Sequence, residues 1–471
     1  MKINLKSISF TILLFIPKIF LALTEKEVNK RLDKIIHNKD APLIAGSLAV
    51  IKNNKTLYCN SIGISRLDQN KTSDKNTKYR TASISKLFTA IAIWKLEEEG
   101  KLNMTEDVSK YLNFPLKNPY FNNTPITIKM LLSHTSSIRE NETNYNIPEG
   151  NNISDFFKNG SQIYYDKAYS KKEPGYFEYV NMNYCLLGTI IEIVTKTRFD
   201  KYMIENILKP LNITGSFNVD EMDKEYLEKV GTIYRKLNKD NKFDINGEFI
   251  PQKDDFSKGY PSKNYSNYSI GTNGALFGPQ GGLRISIEEL THLIYMFINN
   301  GTYNNVTILK KETIDKMLTK IWIYDKKKEN GNTQNDYDLV YLGGPTMIIN
   351  EGKNRLHKRK RFNFTGHTAS AYGLFGGLFF DRIKGYGVVY IGNGDSKNES
   401  AYVPNYSSYN KWAIEFIDLA DEIAYFDYPF DTNYSMYFIV FAIIAIFIIG
   451  CVVGILFYYK DDEKITNEQL I

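Results

Sequence analysis

Apolar positions recur along most of the chain with a helical or an alternating period, and two stretches break that rule by being apolar almost all round. The first, from Leu87 to Leu96, describes a helix buried on every face. The second, Met436–Tyr458, carries no charge and is about long enough to cross a bilayer, with Tyr434, Tyr437, Tyr458 and Tyr459 near its ends as interfacial aromatics.

Around these two, Glu25–His37 predicts a helix with Val28, Leu32, Ile35 and Ile36 on one side. Leu43–Ile51 and Lys55–Ile64 predict strands joined by an Asn53-Asn54 turn. Leu102–Leu112 and Thr127–Leu132 suggest a largely helical region, closed by the turn Ser133–Ser137. Asn183–Lys196 is a strong helix with the stripe Tyr184, Leu187, Ile191 and Val194, after an extended or turning Pro174–Asn181. Asp220–Tyr268 is polar and without period, which suggests long loops.

Ser286–Asn299 and Lys311–Thr319 are again helical, and Lys326–Asp336 is a hydrophilic loop. Leu339–Ile349, Tyr372–Phe380 and Tyr386–Gly392 are glycine-punctuated strands, and Asn405–Ala424 is a closing helix. Strands at both ends of a helical middle imply one sheet shared by the two ends, with a mainly helical lobe at about residues 100–230 inserted between them. The expected fold is α/β of the α+β type: an antiparallel sheet flanked by helices over residues 24–430, followed by one transmembrane helix.

Composition sharpens this reading. With 43% hydrophobic and 14% aromatic residues among 471, the chain has ample material for a core. The net charge of +6 is spread out, and the densest basic run, Lys353–Arg361, is interrupted, so a solvated loop is expected there and no nucleic-acid partner. Met1–Leu23 has the early lysines and short apolar runs of a signal peptide, interrupted by Pro17 and Lys18, with removal expected near Ala22–Thr24. Together with the span at 436–458 this predicts a single-pass type I membrane protein. Its body would be extracellular or luminal, residues 459–471 would face the cytosol, and the lipid bilayer would be a partner.

Frequent Asn-x-Ser/Thr sequons, Asn103, Asn152 and Asn212 among them, agree with a secreted route. Cys59 and Cys185, the thiols outside the membrane segment, could form one disulfide, and Cys451 lies in the anchor. The five histidines show no paired ligand spacing, which argues against a metal centre.

Candidate chemistry sits at the head of the buried helix. A spacing of three puts Lys86 on the same helical face as Ser83. A buried lysine tends to lose its proton and can then activate a hydroxyl, beside the free N–H groups of a helix start. Ser-x-x-Lys recurs at Ser408 and Lys411, where Ser408 reads as an N-cap before the stripe Trp412, Phe416, Leu419 and Ile423.

Context separates the two copies. Ser83-Ile84-Ser85-Lys86 stands inside Tyr79–Ala90; Pro125–Ser136, Tyr179-Val180-Asn181 with Tyr184–Glu192, Gly281–Ser286 and Gly366-His367-Thr368-Ala369 follow in order. From about Glu25 to Ala424 the chain resembles the serine β-lactamase and penicillin-binding-protein superfamily, in particular the class C-like branch that also holds esterases and D-amino-acid peptidases. Tyr-x-Asn recurs at Tyr58, Tyr120, Tyr265 and Tyr303, but only the copy at Tyr179 stands between the other motifs.

The resemblance implies that Ser83 forms an acyl-enzyme while Lys86 and Tyr179 share proton transfer. It implies that Asn181 holds the lysine and a substrate amide, that His367 and Thr368 contact substrate, and that backbone N–H groups of Ser83 and Ser370 hold the oxyanion, with no cofactor. His134 reads as structural, and His367 has a competing reading as a strand histidine without a role. Two departures stand out: Ala369 and Ser137 replace glycines of the family. The expected function is a membrane-anchored serine hydrolase of ester, amide or peptide bonds in a small-molecule or peptide acyl substrate; the alternative is an inactive surface binding or scaffold protein.

Overall fold

A sheet built from both ends of the chain carries the architecture of the computed structural model, which describes residues 23–140, 146–158, 173–333, 340–344, 346–349, 356, 363–397, 409–426, 444–446, 448–450 and 452. Ala45–Lys52 (β1) and Lys55–Arg66 (β2) form a hairpin through Asn53 and Asn54, at φ 49° and 59°. Asparagine tolerates this left-handed pair, and the right-handed twist of a hairpin favours it. Lys71–Thr72 (β3) flanks β2, and Lys78–Arg80 (β4) leads to the buried helix.

Ile233–Leu237 (β5) and Glu248–Lys253 (β6) form a separate hairpin, Arg284–Ser286 (β7) pairs with β4, and Thr302–Tyr303 (β8) pairs with Val306–Thr307 (β9). Then come Lys320–Ile323 (β10), Val340–Leu342 (β11), Met347–Ile349 (β12), Phe364–Ala371 (β13), Leu374–Asp381 (β14) and Tyr386–Asn393 (β15). Among the described residues the main sheet has nine strands, in the order β10-β11-β12-β13-β14-β15-β1-β2-β3. Antiparallel pairing of β1 with β15, from Ala45↔Asn393 to Lys52↔Tyr386, joins the two ends as the sequence pattern predicted.

Among the described residues, five helices reach twelve residues or more: Glu25–Ile36 (α1), Ser85–Glu98 (α2), Met182–Thr195 (α3), Ile287–Ile298 (α4) and Lys411–Phe426 (α5). A capping box between Thr24 and Glu27 starts α1, satisfying donors that a helix start leaves free. α1 and α5 cover one face of the sheet, where Phe375 stacks on Trp412 at 5.1 Å and Tyr390 on Phe416 at 5.4 Å. α4 covers the other, with Phe297 on Phe380 at 4.5 Å. On that side lies α2, whose Leu87–Ile93 are all fully buried. Thr24–Ile423 form one unit by themselves.

Several expectations are corrected. Leu102–Leu112 is not a helix: it holds one 3-10 turn, Val108–Lys110. Its buried leucines mimic a helical stripe, but the Asn103 and Asp107 side chains accept from the backbone N–H groups two residues on and favour turns. Among its described residues the helical region is accordingly sparse, with Ile128–Leu132, α3, Phe199–Met203 and Lys224–Glu228 as its α-helices and no strand of the main sheet. Asp220–Tyr268, read as loop, contains β5 and β6. Only Ile233, Tyr234 and Leu237 are buried there, and Pro251 interrupts β6, so no alternation shows in the sequence.

Cys59 and Cys185 are not joined in a disulfide. The proposed signal segment up to residue 22, Ser408 and most of Met436–Tyr458 lie outside the described residues; within the last, 444–446, 448–450 and 452 are helical. No helix among the described residues is long and apolar enough to cross a membrane.

Candidate active site

Pairing of β4 with β7 delivers the chain to Thr81, whose N–H donates to Leu283 O at 2.8 Å. Ala82 then takes φ 45°, a left-handed conformation unfavourable for a residue with a Cβ, and turns the backbone into a 3-10 turn over Ala82–Ile84 that runs directly into α2. Ser83 is thereby held in the turn that leads into a buried helix.

Lys86, one turn on, is fully buried, and its Nζ donates to Ser83 Oγ at 3.2 Å, Asn181 Oδ1 at 2.8 Å and Gln280 O at 2.7 Å. Burial pushes its ammonium down to about 7, against the opposing pull of the Glu140 carboxylate. Tyr179 O–H donates to Ser83 Oγ at 2.9 Å, and the lysine nitrogen lies 5.1 Å from the Tyr179 ring and 5.5 Å from that of Tyr184. Two donors converge on one hydroxyl oxygen, an arrangement that lowers the cost of negative charge there.

Two residues besides Ser83, Lys86, Tyr179 and Asn181 hold this arrangement in place. His134, at φ 57°, accepts from Val180 N–H through Nδ1 at 3.1 Å, accepts from Glu178 N–H through its carbonyl at 2.9 Å, and lies with its ring 4.3 Å from that of Tyr179. Burial, with Lys86 and His367 near it, holds its pKa well below the usual histidine range, so it is a neutral brace for the tyrosine, as its structural reading implied. Glu140 accepts from Asn181 N–H at 2.7 Å, Met182 N–H at 2.6 Å and Asn181 Nδ2 at 3.0 Å. The sequence reading missed both Glu140 and the Gln280 carbonyl. No local pattern marks them, because their partners lie 41 and 194 residues away.

The third motif lies on β13, which pairs with β14 along its length but with β12 only at Phe364–Gly366. From His367 onward its other edge has no strand partner among the described residues, and β13 packs against the Ala82–Ile84 turn. Thr368 is half-buried and Ser370 exposed on this stretch, while Ala369 lies in the core. His367 is 1% exposed, with Nδ1 2.5 Å from Thr368 O, its ring 6.1 Å from that of Tyr179, and Nε2 without a partner among the described residues. Burial and the Lys86 charge lower its pKa to about 3, which makes it a neutral imidazole.

The structure thus brings Ser83, Lys86, Tyr179 and Asn181 into one hydrogen-bonded set. His367 stands behind Tyr179, closed to solvent, and Thr368 and Ser370 line the adjoining strand. Ser137 sits at φ 66°, which explains the family glycine there, and its Oγ accepts from Asn118 Nδ2 at 3.0 Å.

The Beta-lactamase family model matches residues 32–407. The protein flp of Staphylococcus aureus strain N315 is 37% identical over 207 residues, 43% of this chain and 41% of that protein, so the match spans less than half of this relative's length. Among solved structures, the octameric penicillin-binding protein homologue from Pyrococcus abyssi has a TM-score of 0.60 at 23% identity, covering 85% of this chain and 77% of that one. The D-amino acid amidase from Ochrobactrum anthropi has a TM-score of 0.58 at 16% identity, covering 84% and 98%. At these identities the two likenesses speak for the fold. With its motifs in order across residues 32–407, the chain belongs to the Beta-lactamase family, within the serine β-lactamase and penicillin-binding-protein superfamily.

Proposed function

We propose that this protein is a serine hydrolase that cleaves ester, amide or peptide bonds through an acyl-enzyme on Ser83. The observation that carries this reading is the convergence of Lys86 Nζ and Tyr179 O–H on Ser83 Oγ. Ser83 Oγ attacks the acyl carbonyl and its proton passes into the Lys86–Tyr179 pair, which titrates as a set. The pair returns the proton to the leaving oxygen or nitrogen as the C–O or C–N bond breaks. Water then attacks the acyl group and gives a proton to the same pair, the bond from the acyl carbon to Ser83 Oγ breaks, and the pair returns that proton to Ser83 Oγ as the acid product leaves. Backbone N–H groups of Ser83 and Ser370 are assigned to the oxyanion; removing one such donor typically costs about 3 kcal/mol, roughly a hundredfold in rate.

The function includes membrane anchoring through Met436–Tyr458, with the body extracellular or luminal, on the strength of that uncharged run and the leader-like Met1–Leu23. One observation favours the alternative of a binding protein without turnover. Ala369 adds a methyl where the family has glycine, on the same side of β13 as the buried His367, since strand side chains alternate.

A fluorophosphonate probe applied to the purified body, followed by peptide mapping, tests the reading. The label is expected on Ser83, and Ser83→Ala should remove it without changing the circular dichroism. Ala369→Gly is expected to raise turnover of a bulky ester relative to a small one, within the range of about 1–3 kcal/mol that one misfit group commonly costs. A folded protein that takes no label with either residue at 369 would refute the hydrolase reading in favour of binding.

A further inference from the structure

We propose that Glu140 is a positioning residue for Lys86: its carboxylate fixes which end of the Asn181 amide the lysine meets and faces the lysine with a negative charge. The inference rests on the reading of Ser83 and Lys86 as nucleophile and base, and it adds a residue that none of the family motifs quoted above contains.

Glu140 follows the turn Ser133–Ser137 and two buried residues, Ile138 and Arg139. Two of the three N–H groups it accepts from, those of Asn181 and Met182, belong to the start of α3, where a helix leaves donors unpaired. Capping alone explains those two. The third, Asn181 Nδ2 at 3.0 Å, is a side-chain amide and serves no cap. Carboxylate oxygens only accept, and an ammonium only donates. With Glu140 on one side and Lys86 on the other, a single orientation of the Asn181 amide satisfies both: Nδ2 to Glu140, Oδ1 to Lys86 Nζ at 2.8 Å. A flipped amide would set N–H against ammonium and oxygen against carboxylate. The result is a polarised chain from Glu140 through Asn181 and Lys86 to Ser83, with links of 3.0, 2.8 and 3.2 Å.

Among the described residues, Glu140 is the carboxylate that acts on Lys86. Cys185 and Tyr184 face it from α3, and Tyr179 from the segment before. His134 and His367, also within its field, are buried and neutral. A negative Glu140 favours the ammonium form and burial disfavours it, so the protonation of the base is a balance between the two. Burial pushes the Glu140 carboxyl up in turn, against its three N–H donors and Lys86.

The Cε carbon resonance of Lys86, followed by nuclear magnetic resonance across a pH series, gives the lysine's midpoint without any need for turnover. Ser83 labelling by fluorophosphonate over the same series gives the acylation profile. E140Q, which removes the charge at constant size, is expected to lower the Lys86 midpoint by about one pH unit. It should also slow Ser83 labelling about tenfold at its optimum, the order expected for a lost charge-assisted hydrogen bond. E140D, which keeps the charge while lengthening the cap, should lower the melting temperature yet leave the midpoint close to wild type. A midpoint unmoved in folded E140Q overturns the proposal and leaves Glu140 a cap. If E140Q does not fold, the wild-type Glu140 carboxyl carbon resonance decides: a step at the Lys86 midpoint supports the proposal, and a flat trace there overturns it. Absence of Ser83 label from both the wild type and A369G refutes the hydrolase reading and not this one, since the Lys86 midpoints still decide the role of Glu140.

Discussion

Lys86 is the residue on which fold stability and chemistry pull in opposite directions. In the unfolded chain its amine keeps a proton up to about pH 10.5, whereas in the fold burial releases it at about 7. Between these values the unfolded chain binds the extra proton, so this residue makes stability rise with pH from 7 to about 10.5; below 7 the whole penalty is in force. Thermal melts of wild type and Lys86→Met from pH 6 to 10 should therefore show wild type gaining on the variant as pH rises. A difference that stays flat across the series would mean the lysine keeps its proton in the fold. At this scale Ser83, Lys86, Tyr179 and Asn181 were legible, because Ser83 and Lys86 head a helix that is apolar on every face and Tyr179 and Asn181 precede the striped helix α3. Glu140 and Gln280 were not, because neither has a local pattern and the contacts that define them span 41 and 194 residues.

At the scale of elements, the loop from Gly274 to Leu283 is held between α2 and α3 and brings the Gln280 carbonyl to the lysine. Gly274 N–H donates to Thr189 Oγ1 at 3.0 Å, Thr89 Oγ1 to Pro279 O at 2.8 Å, and Leu283 N–H to Ser85 Oγ at 3.1 Å. A Cβ on Gly274 would fall 2.5 Å from Thr189 N and 2.6 Å from Gly188 C, both backbone atoms of α3 that have no room to move. Gly274→Ala is expected to destabilise the body by about 1–3 kcal/mol, as overpacking commonly does. Gly281→Ala, whose Cβ would meet its nearest neighbour at 3.5 Å, should stay near wild type. Urea unfolding of the pair checks this, and equal midpoints would contradict the close approach. Long elements with a continuous stripe, such as α1, α3 and α4, were readable from periodicity. The β5–β6 hairpin and β10 were not, since short strands with mostly wet faces leave no alternation to read.

At the scale of the whole molecule, the proposed topology makes a prediction independent of chemistry. If Met1–Leu23 is removed and Met436–Tyr458 spans the bilayer, truncation before Met436 should release the body in soluble form. In sealed microsomes protease should digest residues 459–471 and spare the body; protection of the tail alone would reverse the orientation. The sequence by itself determined the order of motifs from Ser83 to His367, the all-round burial of the helix they begin on, and the sharing of one sheet by both ends of the chain. These depend on spacing and periodicity, which a linear string preserves. Only the tertiary structure decided that His367 is closed to solvent behind Tyr179, that Cys59 and Cys185 are not joined in a disulfide, and that Glu140 joins Asn181 and Lys86. Those facts depend on distances between residues far apart in the chain, and packing in three dimensions alone fixes such distances.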